Sequence, residues 1–145
     1  MFTMDTKIKK FDLGDRLIDF SVLVTDIVEA LPDNRVGNHI ASQLLRAGTS
    51  PAPNHGEAQS AESRKDFVHK LKVGLKELRE ASVWLKVVER KKLVEQVGLL
   101  EKASAECDEL IAIFVSSIAT ARRNMQNEAR GTFNSQHRTP NNELA

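Results

Sequence analysis

The side chains best suited to chemistry in this sequence are basic residues that recur between positions 65 and 90. At about 100° per residue in an α-helix they point within about 60° of one direction. We name them the basic ridge: Lys65, His69, Lys72, Lys76, Arg79, Lys86 and Arg90. A row of cations on one helix face follows a phosphate backbone without reading base sequence. Because no aromatic residue lies within the row, base stacking is not indicated. The six Lys and Arg side chains are our predicted nucleic-acid-binding residues.

The ridge also has a simpler interpretation, as a lysine-rich face that stays in solvent. Glu77 and Glu80 on the same helix, or an acidic neighbour, would neutralise part of it. Residues 64–92 carry ten Lys or Arg against four acids, and residues 93–118 carry five acids against one Lys. The whole chain has a net charge of only +1. The residues alone leave both interpretations open.

Polar side chains of the second, third and fourth helical stretches are the candidates for a metal site. They are Asn54, His55, Glu57, His69, Glu77, Glu80 and Glu106. A di-iron bundle needs a Glu-x-x-His motif on each of two helices and two further Glu residues. This sequence has a single acid-x-x-His, at residues 66–69, so we predict no metal and no cofactor. We predict instead that Asn54 and Glu57 make buried hydrogen bonds or ion pairs, with Arg46 or Arg79, that fix the second helix.

Motifs of common enzyme classes do not occur in the sequence. It contains no Gly-rich phosphate loop, no Gly-x-Ser-x-Gly and no Cys-x-x-Cys. The single cysteine, Cys107, lies on an apolar stripe and is predicted to pack in the core. Trp84, at the flank of another stripe, is predicted to anchor the core or a subunit interface. We predict that the protein is not an enzyme.

Four stretches with apolar residues at three- and four-residue spacing must position these side chains. The predicted helices cover about residues 13–31, 34–63, 63–92 and 94–124. With only 7 Gly, 4 Pro and no Tyr in 145 residues, the composition also favours helices over a turn-rich β fold. We predict an all-α fold, an antiparallel up-down-up-down four-helix bundle in one domain, residues 1–124. Residues 125–145 are almost without apolar side chains and are predicted to be a disordered polar tail.

The stretch RAGTSPAPNHGEA, residues 46–58, interrupts the second helix with two prolines and two glycines. As a loop, it would halve that helix and remove part of one wall of the bundle. As a kink, it places Pro51 and Pro53 in the first turn of a restarted helix, where a missing N–H costs little. We predict the kink, with Gly48 allowing the bend and Thr49 or Ser50 capping the restarted turn. A true loop is the alternative.

Association and location follow from the remaining apolar residues. Val68, Val73, Val83 and Val87 flank the core stripe of the third helix, and a monomer would expose some of them. This favours a homo-oligomer. No stretch reaches the roughly 18 apolar residues of a membrane span, and no secretory segment is recognisable, so we expect a cytoplasmic protein with no membrane partner.

The kink and the stretches after it resemble a family signature. The matching residues are 46–50, 54, 56–58, 61–63, 66–67, 70–71, 75–80, 84–85, 106–114 and 120–122. They resemble those of small bacterial four-helix-bundle proteins whose founding members are encoded in intervening sequences of ribosomal RNA genes. The resemblance covers about residues 11–124. Pro51 and His55 stand where many members carry aliphatic residues.

The resemblance implies a four-helix bundle that is often a homopentameric barrel. A related branch comprises the accessory proteins of diversity-generating retroelements, which are strongly basic and associate with nucleic acid, whereas this chain is nearly neutral. The resulting hypothesis is a non-enzymatic, oligomeric accessory protein that binds RNA or DNA non-specifically through the basic ridge. The alternative is a protein-binding scaffold with no nucleic-acid role.

Overall fold

A computed structural model describes residues 12–136 of the chain. Its helices are α1 (Leu13–Ala30), α2 (Arg35–Thr49), α3 (Pro51–Gln59), α4 (Arg64–Lys91) and α5 (Val97–Gln136). No strand occurs within residues 12–136. Segments α2 and α3 are the two halves of one helix bent at Pro51, so that α4 and α5 are the third and fourth helices. The predicted all-α four-helix bundle with a proline-kinked second helix is confirmed.

Cross-helix contacts show that neighbouring helices run antiparallel. On α2, His39 packs against Trp84 of α4, and Arg46 pairs with Glu77 of α4. The later residue of α2 thus contacts the earlier residue of α4. Each helix contacts its neighbours in chain order, and α1 also contacts α5. The four helices therefore form a square in which α1 lies diagonally across from α4.

Polar side chains cap the N-termini of three helices. Asp12 accepts from the amide of Asp15 at 3.2 Å, and Asn34 accepts from the amide of Gly37 at 2.8 Å. Ser63 accepts from the amide of Asp66 at 3.0 Å. Each cap satisfies an amide that has no partner within its helix. The predicted start of the third helix at Ser63 is confirmed.

One apolar core fills the space between the helices. It is built from the stripes that the spacing predicts, and no polar or charged side chain is fully buried among residues 12–136. Phe20 of α1 and Phe114 of α5 are the largest side chains in it, both 0% exposed. Burial of these stripes stabilises the bundle, at about 25 cal/mol per Å² of apolar surface.

The bend at Pro51 preserves the length of the second helix. Backbone bonds from Ser50 N to Arg46 O (3.1 Å) and from Asn54 N to Ser50 O (3.2 Å) continue through the junction. The hydroxyls of Thr49 and Ser50 donate back to carbonyls four residues earlier, both at 2.6 Å, a bond that favours bending. The prediction that one of them caps the restarted turn is wrong, since neither bonds forward, and the loop alternative is also wrong.

Gly48 packs helices together and does not act as a flexible joint. None of the described glycines has a positive φ. A Cβ added to Gly48 would lie 2.6 Å from both methyl carbons of Val24 on α1. Its carbonyl accepts a bond from the Ser21 hydroxyl at 3.3 Å. The predicted role of Gly48 in bending is therefore replaced by close approach of α1 to α2.

The fourth helix is longer than its apolar pattern predicts. It continues to Gln136, beyond the predicted end near residue 124, and nearly all its added side chains are exposed. Helix propagation adds a hydrogen bond for each residue ordered, so an established helix can extend without burying a face. The predicted tail therefore begins too early, and its remainder, residues 137–145, lies outside the described residues.

Within residues 12–136, none of the helices has the length and apolar content required to span a bilayer.

Cys107 is expected to resist thiol reagents in the folded protein. The side chain is 0% exposed, its Sγ donates to the Leu78 carbonyl at 3.3 Å, and burial raises its pKa from 9.0 to about 12. At pH 8 the thiolate is then about one part in ten thousand, against about one in ten for the unfolded chain. Labelling with a chromogenic disulfide should be at least about a hundredfold slower in buffer than in urea.

The raised pKa of Cys107 also makes the free energy of unfolding fall at high pH. Because the folded pKa of Cys107 lies above the unfolded value, its contribution is fully present below about pH 9 and is lost as the pH rises towards 12. Equal labelling rates in buffer and in urea would contradict a buried thiol.

Candidate functional site

The third helix presents the whole basic ridge to solvent. Every member of the ridge is exposed, from Lys65 in the first turn of α4 to Arg90 in the last. The buried side of α4, which includes Leu71, Leu78 and Leu85, faces the opposite way into the core. The helical period thus separates an apolar face from a cationic one, as the sequence predicts.

Arg46 of α2 holds the two acids that were expected to neutralise the ridge. Its Nη1 lies 2.9 Å from Glu77 Oε2, and its Nη2 pairs with Glu80. Hydrogen bonding to Glu80, reinforced by its charge, raises the pKa of Arg46. Among the described residues, no Lys or Arg of the ridge forms an ion pair. The cations of the ridge therefore remain available.

A groove of about 490 Å³ runs between α4 and α5 beside the ridge. Four cations and four apolar residues line this basic groove: Lys72, Lys76, Arg79 and Arg122 with Leu75, Val115, Ile118 and Ala119. Val115 is 44% exposed. The groove combines positive charge with accessible apolar surface.

Arg122 is a cation of the groove that the sequence pattern did not indicate. It lies on α5, far in sequence from the ridge, and joins the groove because α4 and α5 run antiparallel. Gly74 of α4 faces Phe114 of α5, so each further turn of α5 lies opposite an earlier turn of α4. Helix pairing combined with the predicted stripes would have placed Arg122 towards the Lys72 end of the groove.

The structure places the four residues predicted to fix the kink in different surroundings. Pro51 is buried and Pro53 is exposed. Glu57 Oε2 lies 3.0 Å from Lys70 Nζ, with 58% of the glutamate side chain exposed. The backbone N–H of Asn54 donates to the Ser50 carbonyl at 3.2 Å. The predicted buried pairing with Arg46 or Arg79 is therefore wrong for Glu57, which instead joins α3 to α4, and for Asn54 it stays a prediction.

The side chains considered for a metal site do not come together. Among residues 12–136, no group of three His, Cys, Asp or Glu side chains is arranged to hold a metal ion. His55 packs against Phe114 with ring centroids 6.4 Å apart, and burial lowers its pKa. His69 lies exposed on the ridge. His55 is thus part of the packing around the kink.

Trp84 packs at the seam between α2 and α4. Its ring makes an edge-on contact with His39, with centroids 5.8 Å apart. Its indole N–H is shielded from solvent and has no hydrogen-bond partner among the described residues. The position matches the predicted flank of the core.

A depression of about 680 Å³ lies between the α3–α4 turn and α5. Hydroxyl and amide side chains dominate its polar lining, including Ser116, Thr120 and Asn124. Glu62 and Arg64 are its charged residues. It does not overlap the basic ridge.

Comparison with known proteins decides the family. The model of the 23S rRNA-intervening sequence protein family matches residues 9–116. The chain belongs to this family. The match includes the kink and the basic ridge, whereas Arg122 lies beyond it. The resemblance found in the sequence is confirmed.

A solved structure agrees with this assignment. A crystal structure of a protein of unknown function from the S23 ribosomal protein family, from Bacteroides thetaiotaomicron, is 29% identical, with a TM-score of 0.68. The alignment covers 74% of this chain and 98% of that one. No curated protein matches the sequence. Membership of the intervening-sequence protein family thus brings a fold and no assigned activity.

Proposed function

We propose that this intervening-sequence protein is a non-enzymatic accessory protein that binds the phosphate backbone of RNA or DNA through the basic ridge. The observation that carries the proposal is that the ridge cations are exposed and without ion pairs among the described residues, because Arg46 holds Glu77 and Glu80. The family's name refers to 23S rRNA, which makes RNA the first polyanion to test.

The geometry of the ridge suits contacts to phosphates more than contacts to bases. Lys65 and Arg90 are 25 residues apart on one helix, which corresponds to about 37 Å. Six phosphate contacts, one for each Lys and Arg of an uncovered ridge, predict that log K falls with log salt at a slope of about −5 for a duplex. Without aromatic side chains in the row, binding should be independent of base sequence.

The remaining features of the proposal concern chemistry, assembly and location. The buried thiol of Cys107 is unsuited to nucleophilic attack, which supports a non-enzymatic role.

Exposed Val83 and Val115, at 56% and 44%, support a homo-oligomer, and the family resemblance favours a pentamer. We propose a cytoplasmic location, because RNA genes are transcribed there in bacteria.

Reversing ridge charges is expected to weaken RNA binding about tenfold or more and to lower the salt slope by about 2. The variant combines Lys65→Glu with Lys86→Glu, two exposed residues outside the basic groove. The measurement is a fluorescence-anisotropy titration of a 20-base-pair RNA duplex from 25 to 200 mM salt.

The matched control combines Arg35→Glu with Lys102→Glu. Both residues are exposed and lie outside the ridge, and the change in net charge is the same. It should retain most of the affinity and the wild-type slope. Equal losses in the two variants would assign binding to net charge and would contradict the ridge, as would a wild-type protein that does not bind at 25 mM salt.

A protein-binding scaffold is the second candidate function. The accessible apolar surface of the basic groove favours it, since Val115 and Leu75 offer nothing to a phosphate backbone. A partner that co-purifies equally with and without nuclease treatment, from a variant that no longer binds RNA, would support the scaffold.

A further inference from the structure

One face of α1 carries acidic and apolar side chains together. Its members are Asp15, Ile18, Asp19, Val22, Asp26 and Glu29, and we name them the acidic stripe. At about 100° per residue they lie within about 50° of one direction. Ile18 and Val22 are 55% and 52% exposed. The four acids form no ion pair among the described residues.

The core side of the same helix explains why the stripe faces outward. Leu17, Phe20, Val24 and Ile27 are fully buried on the opposite side of α1. An exposed pair of β-branched residues among acids contributes nothing to the fold of one copy. The stripe is therefore an unpartnered surface.

The acidic stripe and the basic groove lie on different sides of the bundle. Helix α1 contacts α2, α3 and α5 but not α4 among the described residues, and no residue of α1 lines the groove. One chain cannot bring its stripe to its own groove. The two surfaces can meet only between copies.

The two surfaces are complementary in charge and in apolar content. The stripe surrounds Ile18 and Val22 with four acids, and the groove surrounds Val115 and Leu75 with four cations. We propose that the acidic stripe of one copy docks into the basic groove of a second copy. Opposite charges then flank an apolar centre, which is the usual layout of a specific interface.

Docking of this kind is head-to-tail, because two different surfaces meet. Repetition of such a contact closes into a ring where the rotation allows it. The inference rests on the homo-oligomer of the proposed function, and its test uses no nucleic acid. Docking covers Lys72, Lys76 and Arg79, whereas Lys65, Lys86 and Arg90 do not line the groove and stay accessible to RNA. In the assembly the expected salt slope is therefore about −3.

Charge reversal on either surface is expected to convert the oligomer to a monomer. One variant combines Asp19→Lys with Asp26→Lys in the stripe, and the other combines Lys76→Glu with Arg79→Glu in the groove. The measurement is multi-angle light scattering on the full chain at 100 mM salt without nucleic acid. Both variants should elute at the monomer mass of 16.2 kDa.

The combination of all four substitutions should restore the oligomer, because the reversed charges are again complementary. The matched control is Glu95→Lys with Glu101→Lys, two exposed acids outside the stripe, which should leave the mass unchanged. Circular dichroism checks folding, and Ile18→Gln with Val22→Gln tests the stripe without changing charge. A monomeric wild type, or an oligomer that persists in both charge variants, would overturn the proposal whatever the RNA titration shows.

Discussion

Phe114→Ala is expected to lower the free energy of unfolding by about 3–5 kcal/mol, the largest effect of any single truncation considered. The ring is 0% exposed and lies in the space left by Gly74, where an added Cβ would be 2.7 Å from Cε2. It also packs against His55 beside the kink. Alanine would leave a cavity where α3, α4 and α5 meet, and rigid helices cannot collapse into it fully.

Urea denaturation followed by circular dichroism measures this change. Protein concentration must be held constant, since association with other copies shifts apparent stability. Val36→Ala is the control, because Val36 is on the surface of α2 at 49% exposure and should cost no more than about 0.5 kcal/mol. A loss below about 1 kcal/mol for Phe114→Ala would show that the site repacks and that the core is not centred on this ring.

Helix type and burial were predictable from the sequence because both depend on local spacing. A stripe such as Leu71, Leu78 and Leu85 repeats at the helical period and is buried throughout. The same period predicts the exposure of the basic ridge on the other side of α4. Helical geometry alone relates these two faces, so no knowledge of neighbouring helices is needed.

Contacts between helices could not be predicted in the same way. The sequence suggests Arg46 as a partner of Glu57, but Arg46 pairs with Glu77 and Glu80, and Glu57 pairs with Lys70. Each of these pairs depends on the rotation and offset of one helix against another. Long side chains reach several candidates, and packing of the core decides which one is near.

The basic groove illustrates how much of the candidate site remains hidden in the sequence. The cations of α4 are visible as a stripe, whereas Arg122 joins them only once α5 is placed. Its apolar floor is equally dependent on this placement, since Val115 belongs to α5 and Leu75 to α4. Predicting a surface formed by two helices therefore requires the register of one helix against the other.

Gly48→Ala is expected to destabilise the protein by about 1–3 kcal/mol, whereas the same substitution stabilises an isolated helix. Alanine in place of glycine favours a helix by about 1 kcal/mol. Here the new methyl would lie 2.6 Å from both methyl carbons of Val24, which is 0% exposed. Displacing α1 from α2 costs about 1–3 kcal/mol and also lengthens the bond from Ser21 to the Gly48 carbonyl, which contributes about 1 kcal/mol.

Gly56→Ala in the same kinked helix measures the effect of alanine on helix propensity without a packing clash. A Cβ there meets nothing within 4 Å, so alanine should stabilise the protein by about 0.5–1 kcal/mol. Val24→Ala removes the two methyl contacts at 2.6 Å and leaves only the contact of 2.9 Å to the Val24 Cβ. The double variant with Gly48→Ala should therefore be more stable than the sum of the two single changes, by about 0.5–3 kcal/mol. The measurement is urea unfolding of all four variants. If Gly48→Ala instead stabilised the protein as Gly56→Ala does, the glycine would serve neither packing nor bending, and the close approach of α1 to α2 would be wrong.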